Sequence, residues 1–120
     1  MDALLVGLGA FFGGVSRYGI GKLLAKSEFP WATILINLSG SFLLGIVAAL
    51  WAKDHPLRLL LGIGFLGGYT TFSTFSLEVL EQLRSNQPVL AILNLAIQVI
   101  GGVLVCALGY ALGSKFPAGG

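Results

Sequence analysis

Four long stretches without a charged side chain constrain the fold of this chain more than any other feature. They cover residues 3–16, 29–52, 59–77 and 85–114. A helix that crosses a bilayer needs about 20 mostly apolar residues, and the last three stretches reach or nearly reach that length. The first becomes long enough if its helix continues past Arg17 toward Lys22, because a long basic side chain can snorkel to the membrane surface. The pattern predicts an all-α integral membrane protein with four transmembrane helices.

The composition agrees with a single membrane domain. Only 10% of the 120 residues are charged, whereas a soluble domain has about 25%. We predict one domain over residues 1–120, with helices at about 3–25, 30–52, 57–84 and 88–113. The lone Cys106 lies inside the fourth stretch and is interpreted as a small buried apolar residue. A net charge of +2 is too small and too scattered to indicate a nucleic-acid partner.

The basic side chains are divided almost evenly between the two sides of the predicted membrane. With four crossings, one side holds three of them and the other side holds four: Lys53, Arg58 and Lys115 against Arg17, Lys22, Lys26 and Arg84. An excess of Lys and Arg on one side normally sets the orientation of a membrane protein. Its near absence predicts that the chain inserts in both orientations and forms an antiparallel homodimer, whose eight helices enclose a path more easily than four.

The third stretch contains residues that interrupt a helix. Residues 62–76 read GIGFLGGYTTFSTFS. Glycine costs about 1 kcal/mol relative to alanine inside a helix, and threonine is stiff at its first side-chain torsion. Within a membrane, unwound backbone persists only where protein buries it or where it lines a polar cavity. We therefore expect the third helix to break between Gly67 and Thr71, beside a functional site.

Few polar side chains lie at membrane depth, and nearly all of them are neutral. The neutral ones are Asn37, Ser39, Ser41, Tyr69, Thr70, Thr71, Ser73, Thr74, Asn94 and Gln98. Arg17 and Glu78 are the only charged residues in this zone, and His55, the only histidine, lies in a predicted loop. The sequence therefore lacks the acidic or histidine relay of a proton-coupled pump, the ligand cluster of a metal transporter and the nucleophile–base pair of an enzyme.

Neutral hydrogen-bond donors suit a small anion that must lose its water without being trapped by a fixed positive charge. Removing a bare ion from water costs on the order of tens of kcal/mol, so several donors have to replace the lost water. Phe72 and Phe75 lie three residues apart on one side of a helical turn, and the positive edges of their rings can take part. These residues predict an anion pathway beside the break.

Each of these residues also has a plainer interpretation. The two phenylalanines can be simple packing residues, and Asn37 can be an interhelical hydrogen-bonding residue. Asn94 and Gln98 lie four residues apart and form a polar stripe on one helix face, which either lines a pore or does not. Arg17 is either an interfacial anchor or part of an electropositive vestibule that raises the local concentration of anions.

Three motifs resemble signatures of a known family, the small bacterial fluoride channels called CrcB or Fluc. Residues 13–18 read GGVSRY and resemble the family's Gly-Gly-x-x-Arg-Tyr motif. Residues 30–37 and 40–45 resemble its second-helix motif, with Ala32 where the family usually has glycine. Residues 67–76 read GGYTTFSTFS and resemble its most specific signature. The resemblance runs almost from one end of the chain to the other.

The resemblance implies a multi-pass protein of the bacterial plasma (inner) membrane that lets fluoride leave the cell passively. The implied assembly is a dual-topology homodimer in membrane lipid, with two antiparallel pores. The implied fluoride-pore residues, of which Arg17 marks the vestibule, are Asn37, Phe72, Ser73, Phe75, Asn94, Gln98 and Arg17. Many members have a tyrosine and a serine at the positions of Asn94 and Gln98. Both replacements are hydrogen-bonding groups, so conduction is expected to persist.

The resemblance also implies a structural sodium ion and no organic cofactor. The backbone carbonyl groups of Gly67 and Thr70 from both subunits would hold this ion at the dimer interface. Four carbonyl oxygens at a helix break suit a hard cation, which prefers oxygen ligands. Such an ion adds positive charge near both pores without a titratable group.

Two other functions stay open. A small multidrug-type proton-coupled exporter also has four helices, but it depends on a membrane-embedded glutamate in the first helix. The only acid near that segment is Asp2, at its very start. A non-transporting membrane assembly factor would use the glycines for packing alone and would leave the cluster of hydroxyls and phenylalanines unexplained. We predict no enzymatic activity for this chain.

Overall fold

The computed structural model describes residues 1–24 and 29–116, and that part of the chain is helical and contains no strand. Its α-helices are α1 (Asp2–Leu23), α2 (Trp31–Leu50), α3 (Gly67–Tyr69), α4 (Phe72–Arg84), α5 (Pro88–Ala96) and α6 (Gly102–Gly113). Two π-helical segments, π1 (Arg58–Leu66) and π2 (Ile97–Gly101), lead directly into α3 and α6. The all-α prediction is confirmed for these residues. Ala25, at the end of the first predicted helix, and Lys26 lie outside the described residues.

Three helices in the described ranges are long and apolar enough to cross a membrane: Asp2–Leu23, Trp31–Leu50 and Pro88–Gly113. The predicted third helix forms two shorter pieces instead, residues 58–69 and 72–84. Between them Thr70 and Thr71 have extended backbone, with ψ angles of 158° and 115°. Neither piece alone has the length of a spanning helix.

The second helix is tied to the start of the third segment by Arg58. Its Nη1 atom donates to the carbonyl oxygen of Trp51 at 2.9 Å and to that of Ala48 at 3.4 Å. The last carbonyl groups of a helix have no partner within the helix. Arg58 therefore caps the end of α2 and fixes where π1 begins.

Helix α1 lies against π1 and α3 at a distance that requires glycine. A Cβ atom on Gly13 would meet the Phe65 carbonyl group and lie 3.0 Å from the backbone nitrogen of Tyr69. A Cβ atom on Gly68 would lie 2.7 Å from the carbonyl oxygen of Ala10. Small residues allow this close approach, which matters in lipid because apolar packing gains little there. Gly14, the next residue of α1, has no atom within 4 Å of such a Cβ.

Helix α2 lies between α6 on one side and the α1 and π1 helices on the other. A Cβ atom on Gly45 would lie 2.8 Å from the backbone nitrogen of Tyr110, so α2 and α6 also touch backbone to backbone. On the other side of α2, Ile36 and Val47 are buried with Leu66 in a small apolar cluster. The position of α2 brings its polar residues close to both the third segment and the last helix.

After helix α4 the chain turns back sharply, so that α5 packs against α4. Residues 85–87 form the turn, in which Asn86 has a φ angle of 61°, a conformation that asparagine tolerates better than most residues. The backbone N–H of Gln87 donates to the carbonyl oxygen of Gln82 at 2.8 Å. Pro88 then starts α5, at the helix position that best accepts proline. This tight connection places the second half of α4 beside Asn94.

Candidate functional site

Asn37 supplies the hydrogen bonds that the interrupted helix lacks. Its Oδ1 atom accepts the backbone N–H of Thr71 at 2.9 Å, and its Nδ2 atom donates to the Thr71 carbonyl oxygen at 3.1 Å. One carboxamide thus pairs with both polar backbone groups of a residue in extended conformation. An unsatisfied backbone group in lipid costs several kcal/mol. The side chain of Asn37 therefore stabilises the unwound backbone from a neighbouring helix.

The two threonines of the interruption have different partners. Thr70 donates both its backbone N–H and its hydroxyl to the Leu66 carbonyl oxygen, each at 3.0 Å, and so closes the end of α3. The Thr71 hydroxyl accepts the backbone N–H of Thr74 at 3.2 Å, the bond of a helix N-cap. In a continuous helix the Thr71 N–H would instead donate to Gly67. Because it donates to Asn37, the carbonyl oxygen of Gly67 loses its usual helical partner.

A cavity of about 440 Å³, which we call the main cavity, opens beside the interruption at Thr70 and Thr71. It brings together four of the predicted pore residues, Asn37, Phe72, Phe75 and Gln98. The rings of Phe72 and Phe75 meet edge to face, with centroids 5.9 Å apart and planes at 63°. Phe75 is 6% exposed, whereas Phe72 is 78% exposed on this single chain. Both rings therefore line the cavity, but the Phe75 ring is buried in the chain and the Phe72 ring is exposed at its surface.

A row of four carboxamides extends from this cavity, and we call it the amide chain. Asn37 donates to Gln98 Oε1 at 2.6 Å, and Gln98 donates to Asn94 Oδ1 at 2.7 Å. Asn94 in turn donates to Gln82 Oε1 at 3.4 Å. Gln98 and Gln82 are buried, and Asn94 is 0% exposed. The pair Asn94 and Gln98 therefore belongs to a buried polar network that joins α2, π2, α5 and α4.

Two polar residues of this network, Gln82 and Thr33, were not predicted from the sequence. Thr33 on α2 donates its hydroxyl to the carboxylate of Glu78 on α4. Gln82 ends the amide chain one turn further along the same helix. A signal was present in the spacing, because Glu78 and Gln82 follow Phe75 by three and seven residues and so share its helix face. The spacing alone does not show that Thr33 bonds to Glu78 or that Asn94 bonds to Gln82.

A second cavity, of about 240 Å³, also borders the interruption. Arg17, Lys22, Thr33, Thr71 and Thr74 are among its lining residues. Arg17 is held in place because its Nε atom donates to the Gly68 carbonyl oxygen at 3.2 Å. Thr71 lines both cavities. The unwound residue Thr71 thus borders both a basic cavity and the cavity with the two phenylalanines.

Of the other predicted residues, Ser73 and Gly67 lie apart from the main cavity. Ser73 is exposed, and its hydroxyl lies 3.3 Å from that of Thr71. Gly67 is exposed at the start of α3, while Thr70 lines the main cavity. Among the residues that the structure describes, no group of three or more His, Cys, Asp or Glu side chains could hold a metal ion.

Comparison with known sequences identifies the family. The family described as CrcB-like protein, Camphor Resistance (CrcB), matches residues 4–110, which include most of α1, most of α6 and everything between them. The chain belongs to the CrcB family. It is 42% identical over 116 residues to the fluoride-specific ion channel FluC 2 of Bacillus cereus, a match that covers 94% of this chain and 98% of that protein.

Two further relatives give the same result. The fluoride-specific ion channel FluC 2 of Clostridium acetobutylicum is 39% identical over 116 residues, with 94% of this chain and 95% of that protein covered. FluC 1 of Ligilactobacillus salivarius is 44% identical over 110 residues, with 90% and 96% covered. The matched lengths include both cavities and the whole amide chain.

Proposed function

We propose that the protein is a fluoride-specific ion channel through which fluoride leaves the cell passively, so that its cytoplasmic concentration falls. The observation that carries this proposal is the cavity beside the interrupted helix. Asn37, Gln98 and the two phenylalanines meet there, and the described residues that line it carry no charge. The relatives in the CrcB family are named as fluoride-specific ion channels, which supports the same function.

The chemistry of the cavity suits an anion that crosses without being trapped. Amide N–H groups, hydroxyls and the positive edges of aromatic rings replace the water that a small anion loses. Arg17 and Lys22 line the neighbouring basic cavity, where their charge attracts anions toward the interruption. We therefore assign the vestibule role to Arg17, with a neutral pathway beyond Thr71.

The proposed pathway needs a second copy of the chain. Phe72 is 78% exposed and the main cavity opens at the surface of one chain, so an antiparallel partner would enclose both. The two pieces 58–69 and 72–84 would together cross the bacterial inner membrane as one segment with a break at Thr70 and Thr71. The nearly even distribution of basic residues supports insertion in both orientations.

The sodium site is proposed at the same break. The Thr71 N–H donates to Asn37, which leaves the Gly67 carbonyl oxygen free of its usual helical bond. A hard cation prefers such oxygen ligands and binds several of them at once. One chain offers two, from Gly67 and Thr70, so the ion would sit between two copies and help to hold them together.

A direct test uses purified protein in fluoride-loaded liposomes with a potassium ionophore. We expect rapid fluoride release without an imposed proton gradient, and little release from matched liposomes that contain chloride. Equal release of both ions would contradict the selectivity. Release that requires a proton gradient would instead favour the coupled exporter.

A separate test concerns orientation. In a Cys106→Ala background, single cysteines placed near each terminus would be labelled from outside intact cells with an impermeant reagent. Dual topology predicts that about half of each cysteine population reacts before the membrane is opened. Accessibility from one side only, with both cysteines labelled completely or not at all before the membrane is opened, would exclude dual topology.

A further inference from the structure

Gln82 ends the amide chain but lies outside both cavities. Its side chain is 6% exposed, and its Oε1 atom accepts from Asn94. Its Nε2 atom is buried and has no hydrogen-bond partner among the described residues. A buried amide with an unused N–H group is costly, so packing alone does not explain a glutamine here. The acceptor oxygen is the part of the side chain that the structure uses.

The hydrogen bonds of the amide chain all run in one direction. Asn37 donates to Gln98, Gln98 donates to Asn94, and Asn94 donates to Gln82. A carboxamide carries an acceptor on one side and two donors on the other, so turning it over exchanges the two. The orientation of each amide is therefore set by its neighbours and, at the end of the row, by the acceptors beside Asn94, which are the carbonyl oxygen of Gln82 and the carboxylate of Glu78.

The first member of the row cannot turn without loss. If Gln98 presented its N–H₂ group to Asn37, two donors would face each other. Asn37 would then have to turn over and give up its bonds to the N–H and carbonyl groups of Thr71. The unwound backbone would lose its partner. The orientation imposed at Gln82 thus reaches the interruption through two intervening side chains.

We propose that Gln82 is a positioning residue for fluoride conduction. By accepting the N–H of Asn94, it orients the amides of Asn94 and Gln98 so that Asn37 stays paired with Thr71. Gln98 Nε2 then donates one N–H to Asn94. Its second N–H can bind an anion in the main cavity, which Gln98 lines. This inference rests on the proposed function of the protein.

The test is a double-mutant cycle on fluoride efflux from liposomes. Gln82→Met keeps the length of the side chain and removes the acceptor, and we expect it to slow efflux about tenfold. Gln98→Met should slow efflux at least as much. Because both changes act on one row of hydrogen bonds, the double variant should be no slower than Gln98→Met alone. Gln87→Met, the same substitution in the nearby turn, serves as the matched control and should conduct like wild type.

Two outcomes would overturn the inference while leaving the channel intact. One is wild-type efflux in Gln82→Met. The other is a double variant whose slowing equals the product of the two single effects, since a merely structural residue would act independently of Gln98. If Gln82→Met lowers the yield of dimer, Gln82→Asn replaces it in the same cycle, because it keeps a carboxamide but withdraws it by one methylene. Absence of fluoride efflux in wild type would instead contradict the proposed function.

Discussion

The two pieces of the interrupted third segment are held by different forces. Residues 58–69 lie against α1 through backbone contacts at glycines, such as Gly64 and Gly68, where any side chain would collide with the facing helix. Residues 72–84 pack mainly against α5, and their buried polar side chains bond to other helices. Close backbone contacts with α1 thus distinguish the first piece, whereas the second piece depends on hydrogen bonds from its own polar side chains.

The first piece should therefore matter mainly for folding, and the second piece mainly for conduction. The close contact with α1 fixes the end of α3, and with it the place where the backbone unwinds. Asn37, Glu78 and Gln82 then orient the second piece relative to α2 and α5. Substitutions in the first piece or its partner should therefore damage the fold. Substitutions in the second piece should change ion flow while the protein stays folded.

The largest effect is expected where the first piece meets α1. In Gly13→Val the new side chain collides with the backbone at Phe65 and Tyr69, which cannot move aside as a flexible side chain would. Overpacking of this kind costs about 1–3 kcal/mol or more. We expect loss of the folded protein in size-exclusion chromatography and a lower unfolding temperature. Gly14→Val is the matched control, because open space surrounds that position; equal damage by both variants would mean that the close contact is unimportant.

A charge at the interruption should come next. Asn37→Asp keeps an acceptor for the Thr71 N–H but loses the donor to the Thr71 carbonyl group and to Gln98. A carboxylate 4 Å from an anion repels it by about 4 kcal/mol at an effective dielectric constant of 20, so fluoride efflux should fall roughly a hundredfold or more. Asn86→Asp places the same charge in an exposed turn and should conduct normally. Wild-type efflux in ionised Asn37→Asp would remove this residue from the pathway.

The aromatic wall should have a smaller effect that leaves the fold intact. Phe75→Ile keeps an apolar side chain but removes an aromatic ring that lines the cavity, and a favourable aromatic contact is worth about 0.5–1.5 kcal/mol. We expect efflux to fall roughly tenfold, with an unchanged elution volume of the protein. Phe72→Ile should act in the same direction. Phe11→Ile, on the exposed surface of α1, is the control, and equal efflux in all three variants would make the rings structural.

Much of the helical framework could be predicted from the sequence because it follows from local composition. Charge-free stretches give the helices, and Pro88 marks the start of α5 as its fixed φ angle requires. The glycines and threonines after Gly67 are poor helix formers, and extended backbone occurs at Thr70 and Thr71. These features depend on residues close together in the sequence.

The partners of the polar residues could not be predicted in this way. The sequence places Asn37 at membrane depth but does not show that both of its bonds to the interruption go to Thr71. Nor does it distinguish Gly13, which meets a backbone, from Gly14, which meets nothing. Gln82 lies beyond the charge-free stretch and stands out only once α5 is seen to lie beside α4. Each of these facts depends on how the helices rotate against one another.

The smallest effect is expected at the cap of the second piece. Thr71→Val keeps the branched shape and the backbone groups that Asn37 binds, but it removes the hydroxyl that accepts the Thr74 N–H. Loss of an N-cap costs about 1 kcal/mol, so the unfolding temperature should drop slightly while efflux stays within about threefold of wild type. Thr71→Ser retains the cap and should match wild type in both measurements. If Thr71→Val instead abolished efflux while the protein stayed folded, the hydroxyl itself would be a ligand for the ion. Thr71 would then belong to the conducting cavity and not only to the structural cap.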